Sequence, residues 1–228
     1  MTDRTQTAYD EWAATYDTSP NPQTLLEYDD VLALLNVQRG ERILDAACGT
    51  GRYTAALLER GANVIGMDIS EGMLAVARRR LPLADFRRGD LTRTLEFPAA
   101  DFDAIVCGQA LKHLRSLVPT VAEFARVLKP GGRLVFSVTH PAMTWDDYEM
   151  SQDPGFLLAE NADIFHHTVA DYVDAVRAAG MHVECTASIG VSERIRHLLT
   201  ARSYARVVGR AQVMVMRVRR PSVPLEAG

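Results

Sequence analysis

Two aspartates in this chain each close a short apolar run. Asp45 ends the run that begins at Ile43 and leads into a turn of small residues, in the string ILDAACGTG. Asp68 ends a second run, in VIGMDIS. Glycines in such a turn let the backbone approach a ligand where a Cβ would clash. The pattern predicts a strand, a glycine loop, a helix and a strand, with a carboxylate at each strand end, and it indicates a site for a nucleoside-bearing cofactor.

The carboxylate at the loop separates two kinds of cofactor. Dinucleotide enzymes carry GxGxxG at this point, and their pyrophosphate lies on a helix N-terminus. This chain has Ala47, Gly49 and Gly51 without a third glycine at the expected offset, and Asp45 would repel a pyrophosphate. A negative group instead suits a cofactor with a cationic ammonium end. A dinucleotide-dependent oxidoreductase therefore remains only the less favoured alternative.

With these residues and the segments that follow them, the chain resembles the class I S-adenosylmethionine-dependent methyltransferases, closely over residues 39–138 and loosely in the flanks. Residues 45–51 fill the acidic-x-Gly-x-Gly-x-Gly motif of that family, with Ala47 in place of the first glycine. The strings GMDIS, GDL, DAIVCGQALKHL and LKPGGRLVFSV match its later motifs in order and spacing. The resemblance implies that S-adenosylmethionine is the cofactor and S-adenosylhomocysteine the product.

The resemblance also implies roles for single residues of the cofactor site. Asp68 would bind both ribose hydroxyls, Ile69 and Met73 would flank the adenine, and Asp90 would take the adenine amino group beside the backbone of Leu91. The cofactor-binding residues that we predict are Tyr16, Asp45, Ala47, Gly49, Gly51, Arg52, Asp68, Ile69, Met73, Asp90, Leu91 and Cys107.

Two histidines are candidates for the chemistry on the acceptor side. Methyl transfer from a sulfonium needs chiefly a nucleophile aligned with the departing sulfur in a water-poor pocket. A general base is needed only where the acceptor is a neutral hydroxyl or an acidic carbon. His113 follows the predicted fourth strand and His140 the fifth, at the strand ends where ligands of open α/β sheets bind. We predict both as acceptor contacts or bases, with a structural hydrogen-bonding role as the alternative for each.

Aromatic and imidazole side chains outside the motifs are candidates for acceptor binding, with core packing and helix capping as the alternatives. The substrate-binding residues that we predict are Tyr9, Tyr16, His140, His166 and His167. In the segment 140–167, Trp145, Phe156 and Phe165 favour an apolar or aromatic acceptor. The short flanking segments suit a small molecule rather than a protein or a duplex.

The bulk composition argues against several classes of protein. The 228 residues are 47% hydrophobic and 24% charged, which is typical of a soluble globular protein. A net charge of −4 argues against a nucleic-acid partner. The cysteines form no CxxC pair, so neither a metal site nor a disulfide frame is indicated. Because no apolar run resembles a signal peptide or a membrane span, we expect a cytoplasmic protein without a membrane partner. We also expect a monomer or a homodimer.

Apolar runs that alternate with helical patterns predict the fold class. Strands are expected at 42–46, 63–67, 84–88, 103–107, 133–138, 182–188 and 211–218. This order predicts an α/β, doubly wound, seven-stranded, mostly parallel sheet with an antiparallel edge strand, as in the Rossmann-like methyltransferase fold. We expect one domain over 1–220, with a helical cap at 1–38, a substrate-side insert at 140–167 and a disordered tail at 221–228.

The sequence thus predicts an enzyme that transfers the methyl group of S-adenosylmethionine to an O, N or C nucleophile of a small, apolar or aromatic metabolite. The motifs say nothing of which acceptor or which atom is methylated. Two alternatives stay open. One is a module that binds S-adenosylmethionine without methyl transfer, and the less favoured one is a dinucleotide-dependent oxidoreductase.

Overall fold

The computed structural model describes residues 1–18, 22–143, 162–191 and 193–222. The helices are α1 (Asp3–Trp12), α2 (Pro22–Leu35), α3 (Arg52–Glu59), α4 (Glu71–Arg80), α5 (Val118–Val127), α6 (Val169–Ala178) and α7 (Ala201–Val207). The strands are β1 (Arg42–Ala46), β2 (Asn63–Asp68), β3 (Asp85–Arg88), β4 (Phe102–Gly108), β5 (Leu128–Thr139), β6 (His182–Gly190) and β7 (Ala211–Arg219). Short 3-10 helices cover Leu111–His113 and Glu193–Leu198.

The strands form a seven-stranded sheet in the order β3-β2-β1-β4-β5-β7-β6. Neighbouring strands from β3 to β5 pair in parallel, whereas β7 is antiparallel to both β5 and β6. The predicted fold class is therefore confirmed. The structure adds that the antiparallel strand is second from the edge, because β7 inserts between β5 and β6.

The strand order reverses between β1 and β4, and this reversal opens the crevice in which the site lies. The chain runs outward from β1 to β2 and β3, and then returns to the other side of β1 as β4. Asp45 of β1 stands opposite Val106 of β4, so the loops that follow both strands leave the same edge of the sheet. Ligands of open α/β sheets bind at such a switch point, beyond the carboxyl ends of the strands.

Apolar side chains cover both faces of the sheet and hold these strand ends in place. On one face, Phe102, Phe124 and Phe136 belong to a cluster that α5 and α6 complete. On the other face, α2 and α3 pack over Ile43 and Val135. Both clusters consist of nearly or fully buried side chains, each of which contributes roughly 1.5–3 kcal/mol to folding.

Most of the predicted elements agree with the structure to within a residue or two, and two differ in kind. The fifth strand begins at Leu128 rather than residue 133, because the Pro-Gly-Gly segment at 130–132 is part of the strand instead of separating helix from strand. Between β6 and β7, where the predicted strands leave residues 189–210 unassigned, the chain forms a 3-10 helix and then α7. Most of the predicted insert, with Trp145 and Phe156, and residues 223–228 of the tail lie outside the described residues.

Side-chain hydrogen bonds hold the N-terminal segment in position over the crevice. The Asp10 carboxylate accepts from the Ser70 hydroxyl at 2.5 Å and from the Gly72 backbone N–H at 2.9 Å, at the start of α4. The Asp17 carboxylate accepts from the Thr50 hydroxyl at 2.7 Å, within the glycine loop. These polar contacts of the N-terminal segment therefore lie on the elements that surround the predicted cofactor site.

Among the helices of the described residues, none has the length and apolar character of a membrane-spanning segment.

Candidate functional site

A cavity of about 580 Å³, partly open to solvent, lies beyond the carboxyl ends of β1, β2 and β4. The predicted residues that line it are Tyr9, Tyr16, Ala47, Gly49, Asp68, Ile69, Met73, Leu91 and His113. Met1, Gly89, Gly108, Gln109 and Ala110 line it as well. The cavity thus brings together residues from both ends of the motif region and from α1. We refer to it as the cofactor cavity.

The glycine loop after β1 supplies the floor of this cavity. Ala47, Gly49 and Gly51 all have positive φ angles, of 61°, 53° and 82°. The loop therefore has the left-handed conformation that favours glycine, and Ala47 adopts it at a cost. A Cβ added at Gly49 would meet no atom within 4 Å, so open space lies directly beside the backbone there.

Asp45 carries a buried oxygen that is left without a partner. Its Oδ2 accepts from the Thr54 backbone N–H at 2.9 Å and from the Thr54 hydroxyl at 2.6 Å. Its Oδ1 is buried and has no hydrogen-bond partner among the described residues. Burial raises the pKa of Asp45 to about 6. A buried unpaired acceptor is rare in folded proteins, and it calls for a donor that the protein itself does not supply.

Asp68 is held in a fixed orientation at the end of β2. Its Oδ1 accepts from the Ser70 N–H at 2.9 Å, and its Oδ2 from the Gly49 N–H at 2.8 Å. Burial raises its pKa although these backbone donors oppose the shift. Each carboxylate oxygen has two lone pairs, so both oxygens can accept a further bond from a vicinal diol.

Asp90 lies outside the lining of the cofactor cavity, although its neighbours Gly89 and Leu91 belong to it. Its Oδ1 accepts from the amino group of Met1 at 2.7 Å and from the N–H and hydroxyl of Thr92 at 2.9 Å. Burial opposes its ionisation, but these hydrogen bonds lower its pKa. The contact to an adenine amino group stays a prediction.

Four other predicted cofactor residues also lie outside the lining of the cavity, namely Asp45, Gly51, Arg52 and Cys107. Arg52 donates to Glu27 at 2.9 Å and to the Thr24 carbonyl, and its guanidinium lies over the rings of Tyr28 and Tyr53. Cys107 is fully buried in the core, where desolvation raises the pKa of its thiol. Their contacts with a cofactor also stay predictions.

His113 belongs to the cofactor cavity and has both ring nitrogens engaged. Its Nδ1 lies 2.7 Å from the Asp163 carbonyl oxygen, which can only accept, so we assign the proton to Nδ1. Its Nε2 lies 3.0 Å from the Tyr9 hydroxyl and therefore accepts from it. Burial, assisted by the charge of Lys112, lowers the pKa of His113 to about 3. The imidazole is thus neutral throughout the physiological range.

The other predicted histidines surround a second cavity, of about 450 Å³. His140 accepts from the Ala142 N–H through Nδ1 at 3.1 Å, so its other nitrogen donates to the Ser188 hydroxyl at 3.1 Å. His167 donates from Nε2 to the Leu114 carbonyl at 2.7 Å. The structure therefore divides the predicted acceptor residues, with Tyr9, Tyr16 and His113 on the cofactor cavity and His140, His166 and His167 on the second.

Sequence reasoning missed a buried polar network between the two cavities. Glu27 is fully buried and accepts from Arg52, from Tyr53 and from Gln109 Nε2, the last at 2.7 Å. Gln109 Oε1 in turn accepts from the Lys112 ammonium at 3.1 Å. The available signal was a glutamine and a lysine within the otherwise apolar run that follows β4.

Comparison with known proteins agrees with this geometry. Residues 44–136 match a family model described as a methyltransferase domain. A demethylmenaquinone methyltransferase of Symbiobacterium thermophilum is 37% identical over 139 residues, which are 56% of this chain and 55% of that protein. A ubiquinone biosynthesis O-methyltransferase of Hahella chejuensis is 36% identical over 121 residues, 51% of this chain and 49% of that one. The chain spans about half the length of the curated relatives it matches.

Solved structures extend the likeness over most of the chain. An S-adenosylmethionine-dependent methyltransferase from Mesorhizobium loti has a TM-score of 0.70 and 26% identity, and the match covers 86% of this chain and 98% of that one. A [4+2]-cyclase, SpnF, shares the fold with a TM-score of 0.71 at 18% identity, covering 96% of this chain and 95% of its own. These comparisons confirm the predicted resemblance to the class I S-adenosylmethionine-dependent methyltransferases.

The residues present fit the cofactor of this family. The unpaired Oδ1 of Asp45 is an acceptor for a cationic group, and the space beside Gly49 admits a ligand against the backbone. The Asp68 oxygens retain lone pairs toward the cavity that Ile69 and Met73 also line. The cofactor prediction, S-adenosylmethionine, is confirmed by the family.

Proposed function

We propose that this protein transfers a methyl group from S-adenosylmethionine to a nucleophilic atom of a small molecule. The observation that carries the proposal is the buried, unpaired Oδ1 of Asp45 beside a glycine loop at the switch point of the sheet. A dinucleotide would bring a pyrophosphate to that loop, where this carboxylate opposes it. When bound, S-adenosylmethionine supplies a methyl group activated on a sulfonium.

The residues of the chain have separate tasks in this proposal. Asp68 binds the ribose, Ile69 and Met73 hold the adenine, and the loop around Gly49 receives the methionyl part. Tyr9 and Tyr16 cover the cavity and exclude water, which leaves alignment of the nucleophile as the main requirement. These side chains orient the reactants and do not enter covalent chemistry.

We propose His113 as a contact that orients the acceptor rather than as a general base. Its Nε2 already accepts the Tyr9 hydroxyl, and a pKa near 3 makes the imidazole a weak proton acceptor. His140 contacts the acceptor from the second cavity, where its ring is oriented by Ala142 and Ser188. An acceptor that is already deprotonated needs no base from either histidine.

The acceptor that we propose is a small molecule with an apolar or aromatic ring. Met143, Ile164, Phe165 and Tyr172 line the second cavity and would pack against such a ring. The relatives named demethylmenaquinone methyltransferase and ubiquinone biosynthesis O-methyltransferase support an acceptor that contains a ring. We further propose one cytoplasmic domain over residues 1–220, acting as a monomer or homodimer, and the net charge of −4 disfavours nucleic acid as a partner.

Calorimetric titration with S-adenosylhomocysteine and with NADH tests the cofactor assignment. We expect binding of the first and none of the second, and the reverse would overturn the proposal. Release of S-adenosylhomocysteine is then measured with a library of phenols, aromatic acids, amines and quinols. Tight cofactor binding without turnover of any acceptor would favour a non-transferring module. The titration and the turnover assay are both needed, because a [4+2]-cyclase shares the fold and the fold alone does not establish methyl transfer.

A further inference from the structure

The described lining of the second cavity carries basic side chains and no acidic one. Lys112, His140, His166 and His167 all line it, and among the residues described there is no aspartate or glutamate in its wall. The remaining side chains are largely apolar. The Lys112 ammonium is therefore not balanced by a carboxylate in the described wall of this cavity.

Lys112 is buried, with only 6% of its surface exposed, and its ammonium has a hydrogen-bond donor to spare. Two of its three N–H groups are directed to Gln109 Oε1 at 3.1 Å and to Thr139 Oγ1 at 3.3 Å. Both of these oxygens act as acceptors toward Lys112, because the protons of the two side chains are donated elsewhere. Gln109 donates its amide N–H to Glu27, and the Thr139 hydroxyl donates to Gln23 at 3.2 Å. No third acceptor for the ammonium lies among the described residues.

The ammonium also lacks a direct counter-charge. No carboxylate in the described ranges lies within ion-pair distance of Lys112, and Glu27, which reaches it only through Gln109, already pairs with Arg52. A buried charge without such a partner is costly to maintain. Burial accordingly lowers the pKa of Lys112 to about 8. An anion bound in the cavity would offset this cost.

We propose that the second cavity binds the methyl acceptor through an acidic oxygen, a phenolate or carboxylate on an apolar ring, and that the Lys112 ammonium is its ion-pair partner. This inference rests on the proposed methyl transfer. Phe165 and Tyr172 pack against the ring. The acidic oxygen is thereby anchored next to the cofactor cavity, because Lys112 donates to Gln109 and directly precedes His113, and both of these residues line that cavity.

Equilibrium binding of matched probes to the full chain tests the proposal. Benzoate is compared with benzamide, and para-nitrophenolate with para-nitroanisole, each with and without S-adenosylhomocysteine. We expect at least one anion to bind on the order of tenfold tighter than its neutral partner. The preference should disappear in Lys112→Met and remain in Lys112→Arg, which keeps the cation. Lys129→Met, a change of the partly exposed lysine that pairs with Asp103, is the matched control and should behave as wild type.

The outcomes distinguish this proposal from the function on which it rests. Equal binding of anion and neutral partner in the wild type, or a preference that survives in Lys112→Met, would overturn the role of Lys112. Preference in only one probe pair identifies the acidic oxygen as phenolate or as carboxylate. If the wild type does not bind S-adenosylhomocysteine, the proposed function itself is refuted. If Lys112→Met does not fold, an anion preference in Lys112→Arg and its absence in Lys112→Gln decide the question.

Discussion

The hydroxyl of Tyr9 lies 3.0 Å from Nε2 of His113, and this bond joins α1 to the turn that follows β4. The two rings also meet edge to face, with centroids 5.5 Å apart. Both side chains line the cofactor cavity. The contact therefore connects the cover of the site with the element that carries Lys112.

Removal of the Tyr9 hydroxyl should loosen this cover without unfolding the domain. In Tyr9→Phe the His113 acceptor loses its donor, which costs about 1 kcal/mol of local stability. We expect faster amide hydrogen exchange in α1 and little change in the core strands. Tyr204→Phe, which removes a surface hydroxyl bonded to Glu193, is the control and should leave α1 unchanged. Identical exchange of α1 in Tyr9→Phe and wild type would show that this bond does not hold the helix in place.

Loss of the Asp68 carboxylate should weaken cofactor binding by an order of magnitude or more, because a buried diol would lose its acceptors. The measurement is calorimetric titration of Asp68→Ala with S-adenosylhomocysteine. Asp85→Ala, at the exposed start of β3, is the matched control and should bind as wild type. A thermal melt checks folding, since Asp68 also orients Gly49 and Ser70. Unchanged affinity in a folded Asp68→Ala would remove Asp68 from the ribose site.

Ionisation of the buried Asp45 carboxyl group should destabilise the cofactor-free protein as the pH rises through the elevated pKa of this group. Burial raises that pKa from 3.8 to about 6, so between these values the folded state holds a proton that the unfolded state releases. Stability attributable to this group therefore falls from about pH 4 to about pH 6, by at most about 3 kcal/mol. Asp45→Asn stays neutral and keeps an acceptor for Thr54.

Denaturant unfolding of wild type and Asp45→Asn across this range measures the difference. The advantage of the asparagine variant should grow up to about pH 6 and then level off. Asp103→Asn is the comparison variant, for which the pH dependence of the free-energy difference should have the opposite sign. Burial opposes the ionisation of Asp103, but its Lys129 and Arg42 partners lower its pKa. A free-energy difference between Asp45→Asn and wild type that stays constant from pH 4 to pH 7 would contradict the prediction.

Replacement of Ala47 by glycine should stabilise the loop slightly. The φ of 61° is unfavourable for alanine by roughly 1–2 kcal/mol, and the greater freedom of glycine in the unfolded chain offsets part of that gain. We expect a small rise in Tm for Ala47→Gly. In Ala55→Gly, within α3, the same change should lower stability by about 1 kcal/mol. A lower Tm for Ala47→Gly would mean that the alanine methyl makes a packing contact that outweighs its strain.

The predictable part of the site consists of residues that lie close together in the sequence. Glycines at positive φ and an acid at a strand end are local requirements of the backbone, so Ala47, Gly49 and Asp68 could be assigned from motif spacing and do line the cavity. Arg52 followed the same reasoning and lies elsewhere, because Glu27 on α2 and two aromatic rings compete for its guanidinium. That competition involves residues far away in the sequence.

The sequence by itself determined the fold class, the cofactor and the carboxylates at the strand ends, because hydrophobic periodicity, glycine chemistry and motif order are properties of short segments. Only the tertiary structure decided that β7 inserts beside β5, that the candidate histidines divide between two cavities, and that Lys112 is buried without a carboxylate partner among the described residues. Those features depend on contacts such as Lys112 with Thr139 and Gln109 with Glu27. Such contacts form only when distant segments pack, and no local pattern encodes them.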